Sequence, residues 1–80
     1  MKLQSTQRFF IEETNLNYSG SLTLPEKYGF LGGQQVDVWN VETGECFTTY
    51  IIIGDNVCLN GPAARKGQVG DRIEVLVWEV

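Results

Sequence analysis

Few residues in this chain are able to do acid–base or nucleophilic chemistry. The 80 residues include no histidine, which excludes Ser-His-Asp and Cys-His hydrolases together with histidine metal sites. Glu12 and Glu13 are adjacent, and because successive strand side chains point to opposite faces, we expect them to be solvated rather than to form a catalytic pair. The remaining candidate is the run Tyr18-Ser19-Gly20-Ser21. On its own, a glycine among such residues indicates only a bulge or bend in a strand.

Composition narrows the classes of partner. The net charge is -4 and there is no run of Lys or Arg, which argues against a nucleic-acid partner. No apolar stretch approaches the roughly 18 residues of a membrane span, and the N-terminus lacks the apolar core of a signal peptide. Cys46 and Cys58 do not have a metal-ligand spacing, so no metal is expected and both are interpreted as reduced thiols. The chain is therefore expected to be cytoplasmic, with no membrane partner.

The pattern along the chain is typical of an all-β protein. Apolar and β-branched runs alternate with Gly, Asn and Pro signals, and the length predicts one domain over residues 1–80. We expect a small barrel of about six to seven strands, with strands at residues 7–12, 18–24, 35–41, 47–53, 57–59 and 72–80. A turn is expected at residues 14–17, and short helical turns at 25–31 and 62–65.

Alternation within two of these strands predicts which side chains face inward. The inward set consists of Val36, Val38, Ile73, Val75 and Val77. On the opposite face of the last strand, Leu76 and Trp78 are expected to point outward. A core from 80 residues is too small to stand easily alone, so this outward pair predicts a contact between subunits.

Three blocks of the sequence together resemble pyruvoyl-dependent aspartate 1-decarboxylases, in order and in spacing. The blocks are Asn15-Leu16-Asn17-Tyr18-Ser19-Gly20-Ser21; Val36-Asp37-Val38-Trp39-Asn40-Val41-Glu42-Thr43-Gly44 followed by Phe47-Thr48-Thr49-Tyr50; and Asn60-Gly61-Pro62-Ala63-Ala64 followed by Val69-Gly70-Asp71. The resemblance extends over nearly the whole chain. It implies a double-psi β-barrel that assembles as a homotetramer with sites at subunit boundaries.

The resemblance also implies that the chain is a zymogen that cleaves itself. The Ser21 hydroxyl would attack the Gly20 carbonyl and convert the peptide bond to an ester, with Thr49 assisting at the oxyanion. Strain at Gly20-Ser21, in a tight bend, would favour the attack. Elimination would then leave a pyruvoyl group in place of Ser21. The resemblance includes Asn60 in this processing set.

The pyruvoyl group would act as the cofactor of a carboxy-lyase. It would form a Schiff base with an amino-acid or amine substrate, and Tyr50 matches the family's proton donor after CO2 is lost. Asn60 matches an asparagine beside the pyruvoyl. The substrate-binding positions carried over by the resemblance are Arg8, Trp39, Cys46, Asn60, Gly61 and Ala63.

The chain departs from the family where aspartate is recognised. Ser5 stands at the position of a family lysine and Cys46 at that of a family arginine, while Glu45 adds a negative charge. Cysteine cannot supply the bidentate geometry of a guanidinium. We therefore expect L-aspartate to be a poor substrate and a neutral, cationic or apolar amine to fit better, unless a basic residue such as Arg8 or Lys66 restores carboxylate binding. Arg8 is the better candidate of the two, because it lies on the first strand near Ser5.

Two classes of function follow from these observations. One is a pyruvoyl-dependent decarboxylase that acts on aspartate or on another amine, with or without a maturation factor. The alternative is a non-catalytic barrel that serves as a partner or regulatory subunit. Cleavage before Ser21 separates the two classes, because only the enzyme requires it.

Overall fold

The computed structural model describes residues 2–17 and 19–79. Tyr18 and Val80, which the sequence places in its second and last strands, lie outside the described residues. The strands are β1 (Lys2–Phe10), β2 (Glu13–Asn15), β3 (Ser21–Pro25), β4 (Gln35–Asn40), β5 (Cys46–Gly54), β6 (Cys58–Asn60) and β7 (Arg72–Glu79). Two short 3₁₀ helices cover Glu26–Tyr28 and Gly61–Lys66.

All seven strands form one sheet in the order β1-β7-β4-β5-β3-β6-β2. The pairs β2–β6 and β3–β5 are parallel, and the other four pairings are antiparallel. β5 pairs with β4 through residues 46–50 and with β3 through residues 51–54. The all-β, barrel-like fold predicted from the sequence is confirmed, as is the predicted number of strands and helical turns. Among the described residues, no helix is long and apolar enough to cross a membrane.

The core lies where the alternation predicted it. Every one of the five expected inward side chains is buried, and the cluster also contains Leu22, Leu24, Ile51 and Leu59 from the strands around β3. Each such side chain contributes about 1.5–3 kcal/mol relative to leaving it exposed. Burial in this cluster therefore anchors β3 and β6, the two strands that carry Ser21 and Asn60.

The outer face of β7 differs from the prediction. Leu76 is only 7 % exposed rather than open to solvent. β7 is a central strand, and Leu76 lies opposite Thr6 of β1 on one side and Asp37 of β4 on the other. Trp78 is half-buried, because its indole Nε1 donates to Asp37 Oδ2 at 2.7 Å. Neighbouring strands therefore cover this outward pair within one chain.

Two segments near the N-terminus also differ from what the sequence predicted. The first strand begins at Lys2 rather than residue 7, because backbone pairing with β7 extends along its polar half. The turn expected over residues 14–17 is wrong in its first half, where β2 pairs in parallel with β6. Glu12 and Glu13 are exposed as expected, and Glu12 Oε1 accepts a hydrogen bond from the Val57 backbone N–H at 2.9 Å.

Candidate functional site

Ser21 is the first residue of β3, and its side chain is held on two sides. The residue is 2 % exposed. Its Oγ donates to the Ser19 carbonyl at 3.1 Å and accepts from Asn60 Nδ2 at 3.0 Å. Because β3 and β6 pair Ser21 directly with Asn60, the backbone register itself brings the hydroxyl and the amide together. The hydroxyl is therefore oriented before any reaction begins.

Asn60 joins Ser21 to two more side chains. Its Nδ2 also donates to Thr23 Oγ1 at 2.8 Å, and its Oδ1 lies 3.2 Å from the Cys58 Sγ. We call Ser21, Thr23, Cys58 and Asn60 the hydroxyl–amide cluster. Asn60 is 4 % exposed, and a buried amide with all its groups bonded is strongly oriented. Burial, assisted by the negative charge of Glu13, raises the pKa of the Cys58 thiol.

Gly20 and Thr49 meet beside the first half of β5. The parallel register pairs Leu22 with Ile51, so continuing it two residues back places Gly20 level with Thr49. Both residues line one pocket of about 220 Å³, together with Tyr50 and Ala63. Thr49 is buried, at 6 % exposure, whereas Tyr50 is 55 % exposed. The structure thus gathers Gly20, Thr49, Tyr50 and Ala63 at one pocket, next to the buried Ser21.

The backbone at Gly20-Ser21 does not show the strain that was expected there. Gly20 lies in a bend, but Ser21 already belongs to a strand, and the positive φ angles among the described glycines fall at other positions. A methyl group at Gly20 would meet Pro62 Cδ at 3.5 Å, which is an ordinary contact. Gly61, directly after Asn60, is one of the glycines that do use a conformation rare for other residues, with φ of 61°. This left-handed residue turns the chain from β6 into the second 3₁₀ helix.

The remaining predicted substrate residues form a different group on the outer face of the sheet. Arg8, Glu74, Trp39 and Cys46 are successive register partners across β1, β7, β4 and β5. We call these four residues the charged row. Arg8 Nη2 and Glu74 Oε2 form an ion pair at 3.1 Å, and Glu74 lines a pocket of about 440 Å³ with Trp39 and Cys46. Trp39 is 50 % exposed.

Sequence reasoning missed three members of these groups. Thr23 and Cys58 belong to the hydroxyl–amide cluster, and Glu74 belongs to the charged row. Alternation along β6 and β3 would have placed Cys58 with Asn60 on one face, and Ser21 with Thr23 on one face. The pairing of those two strands comes from a long-range register that the sequence alone does not reveal. Glu74 lies on the outward face of the last strand, and its pairing with Arg8 depends on the β1–β7 register.

The described residues contain two cysteines, which bear on disulfide and metal chemistry. Cys46 is exposed and Cys58 is buried, and both are free thiols. Across residues 2–17 and 19–79, no group of three or more His, Cys, Asp or Glu side chains is placed to hold a metal ion. The polar groups gathered around Ser21 are hydroxyls, the Asn60 amide, the Cys58 thiol and a backbone carbonyl.

Curated proteins similar to this chain are decarboxylases. Aspartate 1-decarboxylase of Helicobacter hepaticus is 40% identical over 85 residues, which are 98% of this chain and 71% of the relative. The corresponding enzyme of Aliarcobacter butzleri is 41% identical over 98% of this chain and 68% of its own length. That of Caldicellulosiruptor saccharolyticus is 42% identical over 89% of this chain, which matches 62% of the relative.

A family-level comparison agrees with these relatives. The family described as aspartate decarboxylase matches residues 2–80. The fold and the similarity together define a decarboxylase-like all-β protein. The chain belongs to the aspartate decarboxylase family.

Proposed function

We propose that the chain cleaves itself between Gly20 and Ser21 and thereby becomes a pyruvoyl-dependent amino-acid decarboxylase. The observation that carries this proposal is the position of the Ser21 hydroxyl. It is buried, bonded to Asn60 Nδ2 and to the Ser19 carbonyl, and adjacent to the pocket where Gly20 and Thr49 meet. A serine needs such fixed geometry to react with the carbonyl of the residue before it.

The cleavage is an acyl shift followed by an elimination. Ser21 Oγ forms a bond to the Gly20 carbonyl carbon, the peptide C–N bond breaks, and the hydroxyl proton ends on the Ser21 nitrogen. Loss of the Ser21 Cα proton then expels the Gly20 carboxylate with the former Oγ. Water replaces the nitrogen, which leaves as ammonia, and residue 21 becomes a ketone at the start of the second chain.

Two side chains at the pocket support these steps. Thr49 is level with Gly20, so its hydroxyl is proposed to donate to the oxygen of the tetrahedral intermediate. Asn60 is proposed to stabilise charge that develops on Ser21 Oγ, since its Nδ2 already donates to that atom. Both donors are buried, where such hydrogen bonds are stronger than in water.

Once formed, the pyruvoyl group would supply a ketone for a substrate amine and an electron sink for the loss of CO2. The exposed Tyr50 lines the same pocket as Gly20 and is proposed to give the proton that replaces the carboxylate. Asn60 and the backbone at Gly61 would hold the group in place. The outward position of Tyr50, rather than a place in the core, supports this role.

The substrate is proposed to be an amino acid other than aspartate. Arg8 could restore a cation near Cys46, but its guanidinium is already paired with Glu74. Lys66, which lines the Gly20 pocket, is likewise paired, with Glu45 at 3.2 Å. A second carboxylate brought to the charged row would therefore meet Glu74 beside a cation that is already paired. A neutral or cationic amino acid avoids that conflict.

The assembly is proposed to be a homotetramer of cytoplasmic single-domain chains. The pocket that Gly20 and Thr49 line and the pocket that Trp39, Cys46 and Glu74 line are separate in one chain, so a site that uses both is proposed to form between subunits. The exposed Trp39 and Tyr50 support an interface on this face. Light scattering tests the assembly, and a stable monomer at micromolar concentration would contradict it.

Intact-mass measurement of the purified protein tests the proposed cleavage. We expect two fragments, residues 1–20 and 21–80, with a ketone at residue 21 that a hydrazine reagent labels. A single intact chain, even after incubation with cell extract to supply a maturation factor, would favour the non-catalytic partner or regulatory subunit instead.

A further inference from the structure

The nitrogen and the oxygen of the Asn60 side-chain amide face different partners. Its Nδ2 faces two hydroxyls, Ser21 Oγ at 3.0 Å and Thr23 Oγ1 at 2.8 Å. Its Oδ1 faces the Cys58 thiol, with Sγ at 3.2 Å. Cys58 and Asn60 are both buried, and they lie two residues apart on β6, on the same face of the strand.

The two hydroxyls cannot by themselves decide which way this amide points. A serine or threonine hydroxyl either donates or accepts a hydrogen bond, so each would also bond to the amide oxygen of a flipped Asn60. The Cys58 S–H has the Asn60 amide oxygen as its nearer acceptor, at 3.2 Å, and the Leu59 carbonyl at 3.7 Å. A flipped amide would leave only the longer bond and would place an N–H against sulfur, which is a weak acceptor. Burial keeps the Cys58 thiol in its protonated, donating form, because burial raises its pKa.

We propose that Cys58 is a positioning residue for cleavage at Gly20-Ser21, acting by holding the Asn60 amide with its nitrogen toward Ser21. This inference rests on the self-processing proposed above. With Nδ2 donating to Ser21 Oγ, the hydroxyl proton is directed to the Ser19 carbonyl, and the second Oγ lone pair is left to bond to the Gly20 carbon. The same N–H stabilises charge on Oγ as its proton moves to the Ser21 nitrogen.

A flipped amide would have the opposite effect. Its oxygen would draw the Ser21 proton toward Asn60 and would offer no donor to Oγ when that atom loses the proton. Cleavage would then proceed without the stabilisation that a fixed donor gives. The role of Cys58 is therefore separable from packing, because it depends on one S–H group rather than on the volume of the side chain.

Matched substitutions at residue 58 test this role. Cys58→Val keeps the volume of the side chain and removes the donor, whereas the hydroxyl of Cys58→Ser can either donate or accept. We expect Cys58→Val to cleave about threefold to tenfold more slowly than the unsubstituted chain, the loss expected for one net hydrogen bond. Cys58→Ser should cleave at a rate between those two. Thermal unfolding recorded beside the rates shows whether the valine variant is folded, and Cys58→Ala provides a second donor-free variant.

A measurement on the uncleaved chain separates this inference from the proposed cleavage. In NMR spectra, the Asn60 side-chain NH2 protons should be protected from solvent exchange and close to Thr23 in the unsubstituted chain. Both features should be lost in Cys58→Val. If the chain never cleaves, these spectra still decide whether Cys58 orients the Asn60 amide. Unchanged spectra and an unchanged cleavage rate in Cys58→Val would overturn the proposal.

Discussion

The hydroxyl–amide cluster and the charged row differ in how completely one chain builds them. Each buried polar group of the cluster forms a hydrogen bond with a group of β3 or β6, or with the Ser19 carbonyl beside β3. The charged row lies open on a sheet face. Its ion pair has side chains 54% and 29% exposed, and Trp39 and Cys46 beside it are exposed.

This contrast matches the two tasks proposed for these groups of residues. Chemistry on the chain's own backbone needs geometry that is fixed before reaction, and burial supplies it. Recognition of a free substrate needs access, and an exposed row supplies that at the cost of weaker interactions. Substitutions in the cluster should therefore have large effects on cleavage, whereas those in the row should alter selectivity by smaller factors.

The largest expected effect is at Ser21. Ser21→Ala removes the attacking oxygen, so cleavage before residue 21 should be abolished in intact-mass spectra. Ser19→Ala is the matched control, because the Ser19 group that bonds to Ser21 is its backbone carbonyl and survives the change. Cleavage that continues in Ser21→Ala would point to a contaminating protease or to another mechanism.

Two adjacent threonines provide the next test. Thr49→Val should slow cleavage by about a hundredfold, the usual loss for one oxyanion donor. Thr48→Val should leave the rate nearly unchanged, since Thr48 is exposed and bonds to Asp37 at 2.6 Å. Cleavage rates from timed gel samples check both variants. Equal rates for the two would remove Thr49 from the proposed machinery.

A smaller effect is expected at Glu74. Fully processed protein should turn over L-aspartate well below a typical enzyme rate of about 1 s⁻¹. Glu74→Gln frees Arg8 and should raise kcat/KM for aspartate by about twofold to fivefold, as expected for an exposed ion pair. Glu26→Gln, on an exposed 3₁₀ helix, is the control. Rapid CO2 release from aspartate before any substitution would refute the proposed substrate preference.

The smallest effect concerns stability. Arg8→Met keeps the length of the side chain but removes the charge, and it should lower the free energy of unfolding by less than about 0.5 kcal/mol, because the ion pair is largely solvated. Urea titration followed by fluorescence measures the change. A loss of several kcal/mol would mean that the charged row is structural.

The sequence was sufficient to predict features that depend on local alternation. Val36 and Val38 on β4 and Ile73 and Val75 on β7 are buried as predicted, because strand side chains alternate whatever the partner strand is. The positions of Ser21, Thr49 and Asn60 were reached through the resemblance to a family.

Features that depend on long-range pairing were not predictable from local signals. The polar segment of β2 forms a strand only because β6 lies beside it. Leu76 is buried because its strand has a partner on each side, β1 and β4. The link from Cys58 through Asn60 to Ser21 needs the β3–β6 register, and the ion pair of Arg8 with Glu74 needs the β1–β7 register.

The order of strands has a consequence for a chain cut before residue 21. The segment upstream of the cut contains β1 and β2, which occupy the two opposite ends of the sheet order, one beside β7 and the other beside β6. The short fragment would therefore be hydrogen-bonded to the long fragment at both ends of the sheet order. Its dissociation would require both strand pairings to break, so the two fragments of a cut chain should stay associated with no covalent bond between them.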